Sequence, residues 1–371
     1  MQTIYIITGA NGFLGNNLVR TILQKSSAKS STAQPNAIDA ANSTHVTKPT
    51  IDQVEVRALV SSPDRAEALQ GLDCKIYPGD ITKLDTLTPV FQVPKDAKVY
   101  VIHCAAIVYI KSQPNPAVYQ VNVGGTHNIV EKTLEIGAKL VQVSSVHAIP
   151  VLPRPQTMTE VNHFDPRLVE GEYAKSKAEA AQYVLDAVEK RGLDACIVHP
   201  SGIIGPYDFK TSHLTQMVID VATGRLKAGV DGGYDFVDVR DVAKGILSAC
   251  TKGKPGECYL LTGHYCSVPE LLNSINSAAN TKPIKTILPM WLAKATALLA
   301  EAYYSWRKTP PLYTKYSLFT LSSNANFSHA KATAELNYNP RPLANTIRDT
   351  VAWLREANKI PPLDTPIETT K

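Results

Sequence analysis

Tyr173 and Lys177 stand four residues apart in GEYAKSKAEAAQYV (171–184), a stretch that otherwise reads as a helix. At i and i+4 the two side chains share one helix face, whereas Lys175 points away. A phenol has an ordinary pKa of about 10, too high for ready proton exchange at neutral pH. A nearby ammonium favours the phenolate and lowers that value. Such a pair can give a proton to an oxygen, or take one from it, while the attached carbon changes oxidation state. A hydroxyl aimed at the same oxygen would complete the chemistry, and Ser144 and Ser145, which close the strand-like KLVQVSS (139–145), both qualify.

A second signature lies at the opposite end of the chain. TIYIIT (3–8) is a short apolar run, TGANGFLG (8–15) follows it, and GFLGNNLVRTILQK (12–25) has helical spacing through Leu14, Leu18 and Ile22. Gly9 allows a tight turn, Gly12 lets backbone approach a pyrophosphate, and Gly15 lets the helix pack closely on the strand. The helix start then offers free N–H groups and a positive dipole end to phosphate. This predicts dinucleotide binding at the first turn.

The elements that must position these groups alternate. VEVRALV (54–60), CKIYPGD (74–80), KVYVIHCAA (98–106), KLVQVSS and DACIVHP (194–200) read as strands, with helical segments between most of them. That rhythm predicts an α/β fold, a doubly wound parallel sheet of Rossmann type with helices on both faces. A late strand, CYLLTG (258–263), is expected to join it. Residues 1–204, completed by about 236–263, form the predicted dinucleotide-binding domain. Residues 205–235 and 264–345 form a smaller substrate-binding lobe, and 346–371 a terminal helix and tail. The stretch 26–50, rich in Ser, Ala, Thr and Asn, reads as an inserted mobile loop.

Composition bounds the rest. The chain has 371 residues, 44% hydrophobic and 19% charged, with a net charge of +5 and no basic run, which does not suggest a nucleic-acid partner. Six cysteines show no CxxC spacing and no metal-ligand pattern, so they read as free thiols of a reducing, cytoplasmic setting. The opening MQTIYIITGANGFLG has neither a charged n-region nor a cleavage site, and reads as no secretory signal. ILPMWLAKATALLAEAYYSW (287–306) is apolar but carries Lys294 and Glu301, a poor spanning helix.

Taken in order, the glycine turn, DIT (80–82), HCAA (103–106), NVGGTHNIV (122–130), VSS (143–145), YAKSK (173–177), HPSGIIGP (199–206) and DFVDVRDVA (235–243) resemble the extended short-chain dehydrogenase/reductase family. The resemblance extends over nearly the whole chain. It is greatest to the dihydroflavonol-reductase-like and epimerase/dehydratase members, and the tail 321–356 strengthens it. It implies Tyr173 as acid/base, Lys177 as its tuner and the holder of the nicotinamide ribose, and Ser145 rather than Ser144 as the catalytic hydroxyl. It further implies cofactor contacts at Gly9, Asn11, Gly12, Phe13, Leu14, Gly15, Asp80, Ile81, Cys104, Ala105, Ala106, Tyr173, Lys177, Pro200 and Ile203. Asn122 matches an asparagine expected to fix backbone or water. A homodimer through two helices is common in the family.

The second strand ends at Ser61 and Ser62 with Arg65 beyond, not at an acid. This favours NADP over NAD slightly, with Asp64 as the complication. Val146 and His147 stand where sugar-nucleotide dehydratases carry an Asp–Glu pair, and Tyr234 stands where epimerases often carry an arginine for the diphosphate. His147 and His199 read as loop and structural residues. Met290, Trp291, Leu298, Leu299, Tyr303, Tyr304 and Trp306 read as core and lid, or as an apolar pocket or bilayer-contacting surface. The reading is an NAD(P)-dependent oxidoreductase acting on a modest, largely apolar carbonyl or alcohol. Its alternatives are an NAD-retaining sugar epimerase and a non-catalytic NAD(P)-binding protein.

Overall fold

Strand β1 (Thr3–Thr8) alternates Ile4 and Ile6 toward one face and Tyr5 and Ile7 toward the other, and the three isoleucines are fully buried. A strand buried on both sides belongs at the centre of a covered parallel sheet, and β1 occupies that place. A computed structural model describes residues 2–32, 53–62, 66–109, 114–296 and 315–362. In it β1 pairs in parallel with β2 (Val54–Val60) and with β4 (Lys98–His103). The sheet continues outward through β3 (Lys75–Pro78) on one side and β5 (Lys139–Val143) and β6 (Ala195–Pro200) on the other. The late strand β10 (Cys258–Leu261) joins beside β6, giving seven strands in the order β10-β6-β5-β4-β1-β2-β3. Apolar clusters fill both faces. The order in which strands are added reverses between β1 and β4, the switch point at which a crevice opens beyond the carboxyl ends of the strands.

The part of the chain expected to form the smaller lobe takes part in two small sheets. One joins β7 (Gly202–Ile204), β9 (Gly233–Asp238) and β11 (His264–Ser267); the other pairs β8 (Ala228–Val230) with β12 (Thr286–Leu288). Strand β9 therefore belongs to the lobe's sheet, and helix Val239–Lys252 is where the chain returns to the main one. The tail divides differently from the sequence expectation. Ala332, Leu336 and Tyr338 join the core under the main sheet, with the Tyr338 hydroxyl donating to the Thr262 carbonyl at 3.0 Å. Helix Leu343–Glu356 instead packs with the lobe's helix Val268–Ala279.

The expected loop over 26–50 begins as helix, because the first helix runs Phe13–Thr32. Ser26 and Ser27 turn their hydroxyls back to the carbonyls of Ile22 and Leu23, each at 3.0 Å, so their polar side chains are satisfied within the helix. Residues 33–50 lie outside the described residues, as do Asp64, Arg65, Leu298, Leu299, Tyr303, Tyr304 and Trp306. Trp291 is 71% exposed. No described helix is long and apolar enough to cross a membrane. All six cysteines are free thiols.

Candidate active site

Each parallel strand ends at the same edge, and the sequence-expected residues gather there. At the end of β1, Gly9 has φ +65°, and a Cβ on it would stand 2.9 Å from Ala105 Cα. A Cβ on Gly15 would stand 2.3 Å from the Gly9 carbonyl oxygen. Strand, turn and helix thus touch backbone to backbone, and Gly12 N–H closes the turn on Gly9 O at 2.8 Å. Asn11 is buried, and Phe13 and Leu14 begin the helix. Cys104, Ala105 and Ala106 follow β4, with Ala105 N–H donating to Thr8 Oγ1 at 3.1 Å. Ser61 is exposed at the end of β2. Asp80, just past β3, accepts from the Thr82 N–H at 2.9 Å and its hydroxyl at 2.8 Å, which lowers its pKa. Ile81 is buried against Gly125, where a Cβ would meet Ile81 Cδ1 at 2.5 Å. Pro200 closes β6, and Ile203 lies in β7. The glycines let strand end, turn and helix start pack backbone to backbone, so that the helix start can offer its N–H groups to a dinucleotide's phosphates past a turn bare of side chains at Gly9, Gly12 and Gly15; the residues present fit that group.

The helix Glu172–Arg191 brings up the other half. Ala174, Ala178, Ala181 and Ala187 with Val184 form its buried stripe, and such small side chains let it lie close to the sheet. It starts after Gly171 at φ +88° and stops at Gly192 in the left-handed region. Tyr173 and Lys177 face the sheet edge, only 8% and 5% exposed. Ser145 lies near enough to the Tyr173 hydroxyl to lower its pKa, and its Oγ accepts the His147 N–H at 3.2 Å. Ser144 is buried, but its hydroxyl has no partner among the described residues.

Lys177 departs from the sequence expectation. Its Nζ donates to the Val143 carbonyl at 2.8 Å, and it interacts electrostatically with the Cys104 thiol. Burial lowers its pKa to about 8. Burial also pushes Tyr173 up to about 12, opposed by the nearby Ser145 hydroxyl. The phenol is therefore held protonated in this structure, the reverse of the lowered value read from spacing, because desolvation outweighs any charge nearby.

Asn122 behaves as a strut. It sits in a π-turn, Gln120–Gly124, that displaces it from the regular helical ladder. Its Oδ1 accepts the Ile107 N–H at 2.8 Å, and its Nδ2 donates to the Ile107 carbonyl and to Ser176 Oγ, both at 3.0 Å. The segment after β4 and the Tyr173 helix are tied through it.

A family model described as the NAD dependent epimerase/dehydratase family matches residues 5–261. The chain belongs to that family. Some relatives are similar over nearly their full length. Sterol demethylase protein B of Methylococcus capsulatus is 29% identical, over 96% of this chain and 99% of its own. The 4-hydroxy-2-methyl-3-oxo-4-farnesyl-3,4-dihydroquinoline-1-oxide ketoreductase of Stigmatella aurantiaca is 25% identical over 90% of each. The crystal structure of gox2253 superposes with a TM-score of 0.76 at 29% identity, covering 96% of this chain and 99% of that one. The epimerase/dehydratase family accounts for the sheet, the glycine turn and the class of cofactor.

Next to His147, whose ring stands 6.0 Å from that of Tyr173, lies a cavity of about 340 Å³; Tyr173, Ser145 and Lys177 are not among its described lining residues. Val146, Ile149, Met158, Val169, Phe319 and Phe327 give it apolar walls. No lysine or arginine is among its described lining residues, and Glu170, at the exposed rim, is the charged one. Tyr234, expected only as a replaced arginine, lines it with its hydroxyl 3.2 Å from His147 Nε2. Sequence reasoning missed Tyr316, whose hydroxyl lies 3.1 Å from His147 Nδ1. Its approach from 143 positions beyond Tyr173 left no local signal, apart from the bare Gly171 it covers. His199 has the structural place expected: its Nδ1–H donates to the Ser145 carbonyl at 3.0 Å, and its ring stacks on Phe164.

Proposed function

We propose that this chain is an NAD(P)-dependent oxidoreductase that interconverts a ketone or aldehyde and its alcohol on a modest, largely apolar substrate. The observation that carries this reading is the approach of Ser145, Tyr173 and Lys177 to one another at the strand ends, with the glycine turn on the same sheet edge and an apolar cavity reached through His147. A bound nicotinamide dinucleotide supplies or accepts the hydride. Ser145 Oγ holds the substrate oxygen in place. Tyr173, kept protonated by burial, donates its proton to that oxygen in reduction and takes it back in oxidation. Lys177 places a positive charge at the cofactor end of the site and holds the ribose hydroxyls. The apolar walls exclude water from the reacting centre. A diphosphate sugar would bring two or more negative charges into a cavity without a described cation, which disfavours it. The names of the Methylococcus and Stigmatella relatives, with their sterol and farnesyl groups, accord with such walls. Hydroxyls rather than a carboxylate at Ser61 and Ser62 favour NADPH as the donor.

The test is turnover against a panel of ketones, aldehydes and alcohols with both nicotinamides, for the native chain and Tyr173→Phe. Net cofactor consumption is expected, with kcat for Tyr173→Phe reduced by roughly 10²–10⁴ and dinucleotide affinity nearly unchanged. A Tyr173→Phe chain with near-normal kcat would show that the proton travels another way.

A further inference from the structure

His147 occupies a position that the hydride-transfer chemistry leaves unassigned, and four contacts converge on it. Its backbone N–H donates to Ser145 Oγ at 3.2 Å. Its ring stands edge-on to the Tyr173 ring, with centroids 6.0 Å apart. Its Nε2 meets the hydroxyl of Tyr234, on β9, and its Nδ1 meets that of Tyr316, on helix Lys315–Ser322. The Tyr234 ring also stacks on it, 5.7 Å between centroids and 14° from parallel. Both tyrosines come from the lobe that walls the cavity, whereas Ser145 and Tyr173 come from the dinucleotide half.

The seating of Tyr316 is built in. A Cβ on Gly171, the residue before the Tyr173 helix, would stand 2.6 Å from Tyr316 Cε2. Only glycine at 171 lets that ring lie against the start of the helix, and only glycine adopts φ +88° there without strain. We propose that His147 is a positioning residue for Ser145 and Tyr173, pinned from the substrate lobe by the hydroxyls of Tyr234 and Tyr316. The inference rests on the oxidoreductase reading above and extends it: the lobe that receives the substrate also sets the geometry of the proton-transfer pair.

Hydrogen counting describes the pin. A neutral imidazole has one N–H and one bare nitrogen. One tyrosine must therefore donate to it and the other must accept from it, which requires the neutral ring. The groups packed around it agree: Tyr173, Tyr234 and Tyr316 are phenols raised by burial, Glu170 stands at the exposed cavity rim, and burial lowers His147 itself to about 4. A glutamine in its place offers one donor and one acceptor and can bridge the same two hydroxyls.

The experiment compares His147→Phe, His147→Gln and the double variant Tyr234→Phe/Tyr316→Phe with the native chain, at saturating dinucleotide. His147→Phe is expected to lower kcat at least tenfold and leave dinucleotide affinity within twofold, as a displaced reacting pair should. His147→Gln is expected to recover most of that loss, and the double variant to share it. The primary isotope effect from 4-deuterated nicotinamide should change in the impaired variants, which a loss of stability alone would not produce. Equal impairment by His147→Gln and His147→Phe, or kcat within twofold of native in His147→Phe, overturns the proposal. Should His147→Phe not fold, the double variant decides by the same criterion. If no carbonyl compound is turned over at all, the oxidoreductase reading falls, and ¹⁵N spectra of the histidine-labelled native chain still judge the pin. A neutral His147 with both nitrogens hydrogen-bonded from pH 5.5 to 8 supports it, and titration near the ordinary value of about 6.5 overturns it.

Discussion

Gly15→Ala tests the cradle on which every functional statement depends. The added methyl would lie 2.3 Å from the Gly9 carbonyl oxygen, 2.7 Å from Ala10 Cα and 2.9 Å from the Gly9 carbonyl carbon. All three are backbone atoms of the first turn, so no side chain can swing aside. Relief requires the helix to withdraw from the turn by about 1 Å, the shortfall from ordinary van der Waals contact. Overpacking of this kind costs about 1–3 kcal/mol, offset by about 1 kcal/mol of helix propensity gained on replacing glycine. The net effect on Tm is therefore only a few degrees. Binding suffers more, because the helix start that should cradle the pyrophosphate moves with the helix. We expect dinucleotide Kd to rise roughly tenfold to a hundredfold, or about 1.4–2.7 kcal/mol. The assay is quenching or enhancement of NADPH fluorescence on titration, with thermal unfolding measured alongside. Gly124→Ala is the control: a Cβ there meets nothing within 4 Å, so its Kd should not change. A Gly15→Ala chain that binds NADPH and NADH within twofold of native would refute the reasoning.

Three further outcomes are expected. Asn122→Ala removes three hydrogen bonds and should cost about 2–3 kcal/mol in denaturant unfolding, with kcat falling as the Tyr173 helix loosens; an unchanged midpoint would show that the strut bears no strain. Lys177, lowered to about 8 by burial, loses its charge as pH rises through that value, so dinucleotide affinity should weaken above pH 8, and Lys177→Met should be weak and flat with pH. His103, His147 and His199 are buried with pKa values lowered to about 3, about 4 and about 4, so below pH 6.5 the unfolded chain binds protons that the folded chain does not. Stability should then fall as pH drops from 6.5 toward 4, by about 1.4 kcal/mol per pH unit for each histidine. Asp235, raised to about 6 by burial, works in the opposite sense below pH 6 and offsets part of that loss. A urea midpoint unchanged between pH 7 and pH 5 would count against this role of the three histidines.

The sequence by itself determined the sheet and its edge. Runs such as TIYIIT and VEVRALV are apolar at most positions, and the structure places them as β1 and β2 with the same bounds. Three glycines after the first run require a backbone-to-backbone approach, and the spacing of Tyr173 and Lys177 requires one helix face. These are local constraints, written in periods of two and four residues and in the absence of a Cβ. Tertiary structure decided what is set by distance and burial. It separated the two serines, bringing Ser145 to Tyr173 and leaving the Ser144 hydroxyl without a partner among the described residues. It raised Tyr173 where spacing suggested lowering, because desolvation depends on everything packed around a group and not on the residue one turn away. It also joined Tyr234 and Tyr316 on His147, positions 87 and 169 residues away along the chain, which no sequence period connects and only the closing of the lobe onto the sheet edge brings together.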